Sequence, residues 1–361
     1  MESEACVLNS ASFSRPVLVR PVLLPTATLF IPSLAPPAAD GISVPLTQRY
    51  PALERLLSRA RASSSPCATM TAWLCERFGV ARQHDWPAAP IALRGEGEDP
   101  GSSYWLCASP IHLRVHRDQL VLLPPASLSV TQAESQALVE TLNRHFSVDG
   151  LLFQAPHPQR WYLRLSDFPE LQTVALEEAI GRDINSLLPS GEDRMRFHHL
   201  FNEVQMLLHD HPVNEAREGA GSLPINSVWF WEGGTLPPAS GASWAAAIGD
   251  LPLLQGLGQL TNVRVAGLSD GLVFPETGST LVVLPELPAI GETEWAGHMA
   301  RLDNEWVAPL LEKLRSGEIQ GMDIVTVHAG QARQWTIASR DLWKFWKPVA
   351  SLSRHFEASG R

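Results

Sequence analysis

His209–Gly234 reads HDHPVNEAREGAGSLPINSVWFWEGG, and the reading of this stretch decides how the rest of the chain is organised. A helix enters it from upstream, where Phe197, Leu200, Phe201, Val204, Leu207 and Leu208 recur at helical spacing as a buried stripe. The spacing predicts that this helix stops at Pro212. The Gly-rich turn EGAGS follows, Pro224-Ile225-Asn226 opens an apolar strand, and Gly233-Gly234 ends it. A helix, a polar crossover and a strand make one unit of an α/β fold.

Polar residues gather at the ends of these elements. Arg217 stands three residues after Asn214, and Asn226 begins the strand. A guanidinium beside two amides suits a carboxylate or a phosphate. The same residues equally suit a bracing role, with the Asn side chains bonded to backbone and Arg217 in an ion pair. Both readings stay open at this level.

Outward from the segment, the pattern alternates strands with helices. Strands are predicted at Thr28–Ile31, Ser227–Trp231, Asn262–Ala266, Thr280–Leu284 and Asp323–His328. Helices are predicted at Pro51–Ala62, Ala68–Phe78, Ser243–Gly249 and Glu294–Arg315. Strands alternating with helices imply a mostly parallel sheet. The block from 104 to 166 differs. YWLCASPIHLRVHRDQLVLLPP alternates apolar and polar residues as strands joined at Arg117-Asp118. A helix over Ser129–Phe146 follows, with Thr131 and Glu134 as a capping box, and GLLFQAPHPQRWYLRL adds two more strands. This reads as a compact α+β insert.

Composition bounds the function. The chain has 361 residues, 45% hydrophobic and 18% charged, which is globular and long enough for a large core. A formal charge of −10 without any Lys/Arg run argues against a nucleic-acid surface. No apolar run has the ~20 residues of a membrane span, and the expected location is cytoplasmic. Cys6, Cys67, Cys75 and Cys107 show no Cys-x-x-Cys spacing, so neither a zinc ribbon nor a redox pair is indicated. His199 and Glu203 share a helix face but lack a third ligand, and a solvated face is the simpler reading. No nucleophile elbow, P-loop or dinucleotide fingerprint occurs. The aromatic set around Trp229–Trp231 and Trp335–Trp346 reads as packing in so acidic a chain.

HPVNEAREGAGSLPINSVWFWEGG resembles the signature of RpfE-type regulatory proteins of proteobacteria, and that resemblance extends from about Leu29 to Leu352 through DPGSSYWLCASPIHLRVHRDQL, TQAESQALVETLNRHF, QRWYLRL and NEVQMLLHDHPVN. More distantly, the chain is similar to the archaeal-type cofactor-independent phosphoglycerate mutases of the alkaline phosphatase superfamily. The resemblance implies an alkaline-phosphatase-like α/β core, a mostly parallel sheet with helices on both faces, carrying a smaller inserted α+β domain. The corresponding division is a leader or mis-assigned start at 1–27, a discontinuous core at 28–98 and 196–352, an insert at 99–195 and a tail at 353–361.

The mutases use two divalent metals held by Asp and His at strand ends, with a Ser nucleophile. Such chemistry needs carboxylates and imidazoles converging on both ions. Here the first strand ends LFIPSL, and Asp40-Gly41 comes well after Ile31; the later strand is followed by LPELPAIGETEW, with Glu286 its nearest acid; DIVTVHAG leaves His328 alone. The resemblance therefore implies a non-catalytic relative with no cofactor, and a regulatory or metabolite-binding role. Its expected ligand set is Asn214, Arg217 and Asn226 with Arg160 and His211, holding a phosphorylated or carboxylated metabolite. A protein partner is a further expectation, and DNA is not. The alternative is an active phosphomutase or phosphatase with two manganese or zinc ions on relocated ligands such as Asp40, Glu286, His298, Asp303 and His328. A scaffold whose signature loop only braces the fold is the plainest reading.

Overall fold

The computed structural model describes residues 25–32, 34–35, 48–239, 241–286 and 291–357. Within it, β1 (Thr26–Phe30) divides its side chains between two cores, as a strand covered on both faces must. Ala27 and Leu29, with Ile31 just beyond, enter one core, and Phe30 enters the other. The neighbouring strands β13 (Ser279–Val283) and β14 (Gly321–His328) pair with β1 in parallel and alternate in the same way. Val282 and Ile324 join the first core, while Leu281, Val283 and Val325 join the second.

The sheet continues from β13 to β11 (Trp244–Ile248) and β12 (Arg264–Ala266), both parallel. On the other side β15 (Gln331–Ala338) and β2 (Arg61–Pro66) close it as antiparallel strands. Helices α1 (Pro51–Arg59), α9 (Glu292–Leu302) and α10 (Ala308–Ser316) cover one face. Helices α2 (Met70–Arg77) and α8 (Pro252–Thr261) cover the opposite face. The fold class is thus the expected α/β arrangement, with a mostly parallel sheet between helical layers.

A second sheet is antiparallel, in the order β10-β3-β7-β6, built from β3 (Tyr104–Ile111), β6 (Leu151–His157), β7 (Arg160–Leu165) and β10 (Ser227–Gly234). Leu138 and Leu142 of α4 (Gln132–Phe146) and Phe197, Leu200 and Val204 of α6 (Arg194–His209) pack against Leu106, Leu163 and Phe230 of this sheet. The capping box at Thr131 and Glu134 forms as its spacing predicts. The hairpin β4 (Leu113–His116) and β5 (Gln119–Leu122) turns at Arg117, with φ of 56°. A two-residue pair, β8 (Leu171–Gln172) and β9 (Ser190–Gly191), and the one-turn helix α5 (Leu176–Ala179) lie beyond β7.

Helix α3 (Ala88–Gly95) joins the two halves. It packs against α8 with backbones nearly touching, since a Cβ on Gly256 would stand 1.9 Å from the Ile91 carbonyl oxygen. A Cβ on Gly95 would stand 1.9 Å from that of Pro252. Only glycine permits so close an approach.

Ser243–Gly249 is not a helix; its Trp244–Ile248 is β11, between β12 and β13. The Ala run favours a helix, but so short a segment cannot repay nucleation, whereas strand neighbours on both sides satisfy its backbone. Helix α6 ends at His209, ahead of Pro212 as expected, but the crossover is not irregular: Pro212 starts a second helix, α7 (Pro212–Gly219), at its first turn, where a missing N–H costs nothing. Ser227–Trp231 belongs to β10 of the antiparallel sheet, so that sheet draws on residues past 195. The helix from Pro51 ends at Arg59, and Arg61–Pro66 pairs with β15 as an exposed edge. Residues 1–24 of the expected leader and the acid Asp40 lie outside the described residues. Among the described residues no helix is long and apolar enough to cross a membrane.

Candidate functional site

The polar groups of the signature segment are bonded to the protein itself. Asn214, 2% exposed, donates from Nδ2 to the carbonyls of Leu208 (2.7 Å) and Ile225 (2.8 Å) and accepts the Ile225 N–H at Oδ1 (2.8 Å). Arg217 donates to the Leu223 carbonyl (2.8 Å), to Glu134 Oε1 (2.8 Å) and to the Leu128 carbonyl. Asn226 pairs with both backbone groups of Leu113, at 2.8 and 2.9 Å. His211 caps α7 by accepting the Val213 N–H at Nδ1, which leaves Nε2 to carry the proton and donate to Thr141 Oγ1 at 3.0 Å. Burial holds its pKa below the usual histidine value, so it stays neutral. Asn214, Arg217, Asn226 and His211 therefore brace the crossover. Arg160 is not with them: it forks onto Glu96 from β7, at 2.5 and 3.4 Å.

A different site lies between the two sheets. A recess of about 230 Å³ opens beyond the C-terminal ends of β11 and β13, the side of a parallel sheet where α/β proteins place ligands. Met70 at the start of α2 and Leu251 and Leu253 around the start of α8 supply an apolar wall. Cys107 and Ser109 of β3, Tyr162 of β7 and Trp231 of β10 supply the facing one. The Trp231 indole N–H donates to Ser109 Oγ (3.0 Å), which fixes the ring. Arg160 reaches this wall as well, but its charge is matched by Glu96.

Three carboxylates face the recess: Glu177 of α5, Glu232 of β10, and Glu286, three residues beyond β13. Glu232 is set by a β-bulge. Trp231 pairs with Cys107 and Gly234 with Trp105, so Glu232 and Gly233 together oppose Leu106. A bulge of this kind re-aims a side chain. Glu232 adopts φ of 47°, a conformation that non-glycine residues rarely take. Its N–H donates to Thr173 Oγ1 (2.8 Å), and that hydroxyl donates to Asp85 (2.6 Å), which also accepts the Thr173 N–H (2.9 Å). Gly233 is required beside it, because a Cβ there would stand 2.5 Å from Leu106 Cδ2 and 2.7 Å from Tyr104 Oη.

Glu232 is 5% exposed, and its Oε2 has no hydrogen-bond partner. Burial first, and then the charge of Glu177, push its carboxyl well above the usual carboxylate range, against a hydrogen bond from Thr71. Glu177 and Glu286 open to solvent at the mouth, yet the recess walls limit their hydration. That shielding, followed by the Glu178 charge, raises Glu177. Shielding and then the Glu177 charge push Glu286 up to about 7. Such mutually perturbed acids in a recess mark a candidate functional site. An apolar recess with converging carboxylates favours a cation and repels phosphate or carboxylate, unlike the anionic ligand expected from Arg217 and the two Asn residues.

The residues present fit a two-metal centre poorly. Among the described residues no three His, Cys, Asp or Glu are grouped to hold a metal ion. Of the relocated ligands expected from the sequence, Glu286 faces the recess, whereas Asp303 receives the Ala52 and Leu53 N–H groups at 3.2 and 2.7 Å and so caps α1. His328 is exposed at the end of β14, and His298 lies half-buried on α9. Sequence reading missed Glu232 and Glu177. The signal for the first was Trp-Glu-Gly-Gly at a strand end, where glycine in a strand marks a bulge; nothing local marks the second.

Fold and recess together define an α/β protein with a ligand-sized opening at its strand ends and an antiparallel sheet closing over it. The chain is distantly similar to cofactor-independent phosphoglycerate mutases. Over 214 residues it is 24% identical to a probable 2,3-bisphosphoglycerate-independent phosphoglycerate mutase of Geobacter sulfurreducens, covering 54% of this chain and 53% of that protein. Over 155 residues it is 28% identical to the 2,3-bisphosphoglycerate-independent phosphoglycerate mutase of Methanosarcina barkeri, covering 41% and 39%. The matches thus span about half or less of these relatives' length. The PH0037 protein from Pyrococcus horikoshii shares the fold, with a TM-score of 0.52 at 13% identity and 88% coverage of each chain. No protein-family model matches the chain.

Proposed function

We propose that this protein is a non-catalytic relative of the phosphoglycerate mutases, of the RpfE type that its signature resembles. In this reading it is a cytoplasmic regulatory protein that binds a small molecule in the recess and passes that state to a protein partner. The observation that carries it is the apolar character of the strand ends. Ile31, Leu34 and Leu284 are 2%, 0% and 2% exposed core residues where mutase chemistry needs carboxylates and imidazoles around two ions. The commitment of Asp303 to helix α1 supports the same reading, because it removes one of the acids that relocated ligation would use.

The test is turnover. Protein incubated with 3-phosphoglycerate and Mn²⁺ and followed by ³¹P NMR is expected to form no 2-phosphoglycerate above the buffer blank. Interconversion that scales with protein concentration would overturn the reading and restore the metal-dependent alternative.

A further inference from the structure

We propose that the recess takes an organic cation: a primary amine on a flat apolar body, with the ammonium at Glu232 and the body against Trp231. This rests on the reading of the recess as a ligand site and adds the chemical class of its occupant.

The case begins with an unpaired group. Glu232 Oε2 is buried without a hydrogen-bond partner, and the residue is 95% enclosed while facing the opening. A carboxylate so placed carries a large desolvation cost, so in the free protein the group keeps its proton, and it ionises when a cation arrives to compensate the charge. The protein holds it there against backbone preference, through the bulge, the positive φ and the Thr173–Asp85 relay. Strain maintained around an unpaired polar group is characteristic of a binding site.

The nature of the compensating group follows from its surroundings. Glu177 and Glu286 at the mouth can carry only negative charge, so an anion gains no partner there and is repelled by whichever of them ionises. The one guanidinium on the wall, Arg160, is held by Glu96 and does not turn toward Glu232. A bare divalent ion needs several oxygen ligands at about 2.3–2.6 Å, and no three acids or imidazoles among the described residues are grouped to supply them. The positive charge therefore belongs to a larger body. Met70, Leu251, Leu253 and the anchored Trp231 ring offer that body an apolar slot, and an ammonium near an indole gains cation–π attraction. At about 230 Å³ the space suits a single ring with a short amine arm.

The experiment is calorimetric titration of the full chain with 2-phenylethylamine, and in parallel with 2-phenylethanol and phenylacetate, which keep the ring and change the charge. The amine is expected to bind saturably at one site per chain, the alcohol at least tenfold more weakly, and phenylacetate not at all. Glu232→Gln, confirmed as folded by its circular dichroism spectrum, is expected to weaken the amine at least tenfold. Glu177→Gln, at the exposed mouth, provides a second variant that leaves the buried network intact and is expected to weaken it about threefold. No amine binding to the wild-type protein, or equal binding of amine and alcohol, overturns the proposal. Binding of phenylacetate in place of the amine overturns the cation assignment while leaving the recess a ligand site. Phosphoglycerate turnover, measured separately, would instead overturn the non-catalytic reading.

Discussion

Arg217 and Glu134 meet at 2.8 Å and join the signature segment to the capping box of α4. The carboxylate serves both sides. Oε2 accepts the Thr131 N–H and hydroxyl, each at 2.7 Å, while Oε1 takes Arg217 Nη1. These hydrogen bonds and the Arg217 charge hold the Glu134 pKa below the usual glutamate value despite the opposing effect of burial. Arg217 also satisfies the carbonyls of Leu128 and Leu223, so one side chain ties three separate segments together.

Replacing Arg217 with Ala leaves Glu134 without its cation and two carbonyls unpaired. The pair is half-buried on its Glu134 side, so breaking it and leaving the two carbonyls unpaired costs about 2–4 kcal/mol. Urea unfolding of Arg217→Ala is expected to show a loss of this size, with 2-phenylethylamine affinity unchanged in the folded variant. Little change in stability but lost ligand binding would return Arg217 to the ligand site.

Asp303 has the same character on the other side of the molecule. It is 2% exposed, accepts the Ala52 and Leu53 N–H groups in the first turn of α1 and opens the π-helical turn Asp303–Val307 between α9 and α10. Asp303→Ala is expected to lower stability by about 1–2 kcal/mol through the lost cap, measured by thermal or urea unfolding. A metal-dependent change in that difference would argue for ligation instead.

The bulge is testable through Gly233. An added methyl meets Leu106 and Tyr104, and overpacking of this kind costs about 1–3 kcal/mol. Gly233→Ala is expected to lose stability in that range and to weaken amine binding, because Glu232 cannot keep its orientation if the bulge shifts. Unchanged binding in a destabilised variant would separate the bulge from the site.

The acids of the recess give a pH signature. Shielding by the recess walls, and then the Glu177 charge, push Glu286 up to about 7 against 4.5 for the ordinary carboxyl, so the folded state holds its proton more tightly. Its contribution to stability is therefore complete below about pH 4.5 and is lost as pH rises through 7. Relative to wild type, Glu286→Gln is expected to gain stability between these values and to run parallel above them in unfolding measurements across pH. A difference of opposite slope would place the Glu286 pKa below its ordinary value.

The sequence made the central strands legible because they are covered on both faces and read as apolar runs: Leu29, Val282 and Ile324 fall where expected. The helix with its capping box was equally clear. Local patterns misled where tertiary contacts decide. The Ala run of β11 is a strand because β12 and β13 flank it, and Pro212 opens a helix because His211 caps it. The candidate site was the least legible part. Thr71, Ser109, Tyr162, Glu177, Glu232 and Glu286 come from separate elements and meet only after both sheets have formed. The signature does contain two members, Trp231 and Glu232, in its Trp231-Glu232-Gly233-Gly234 ending rather than among its Asn and Arg residues.

Titration of chelator-stripped protein with Mn²⁺ reports whether the strand ends around the buried Ile31 and Leu284 form a two-metal centre. The expected result is no stoichiometric binding at micromolar concentrations. Tight uptake of two equivalents per chain would contradict it.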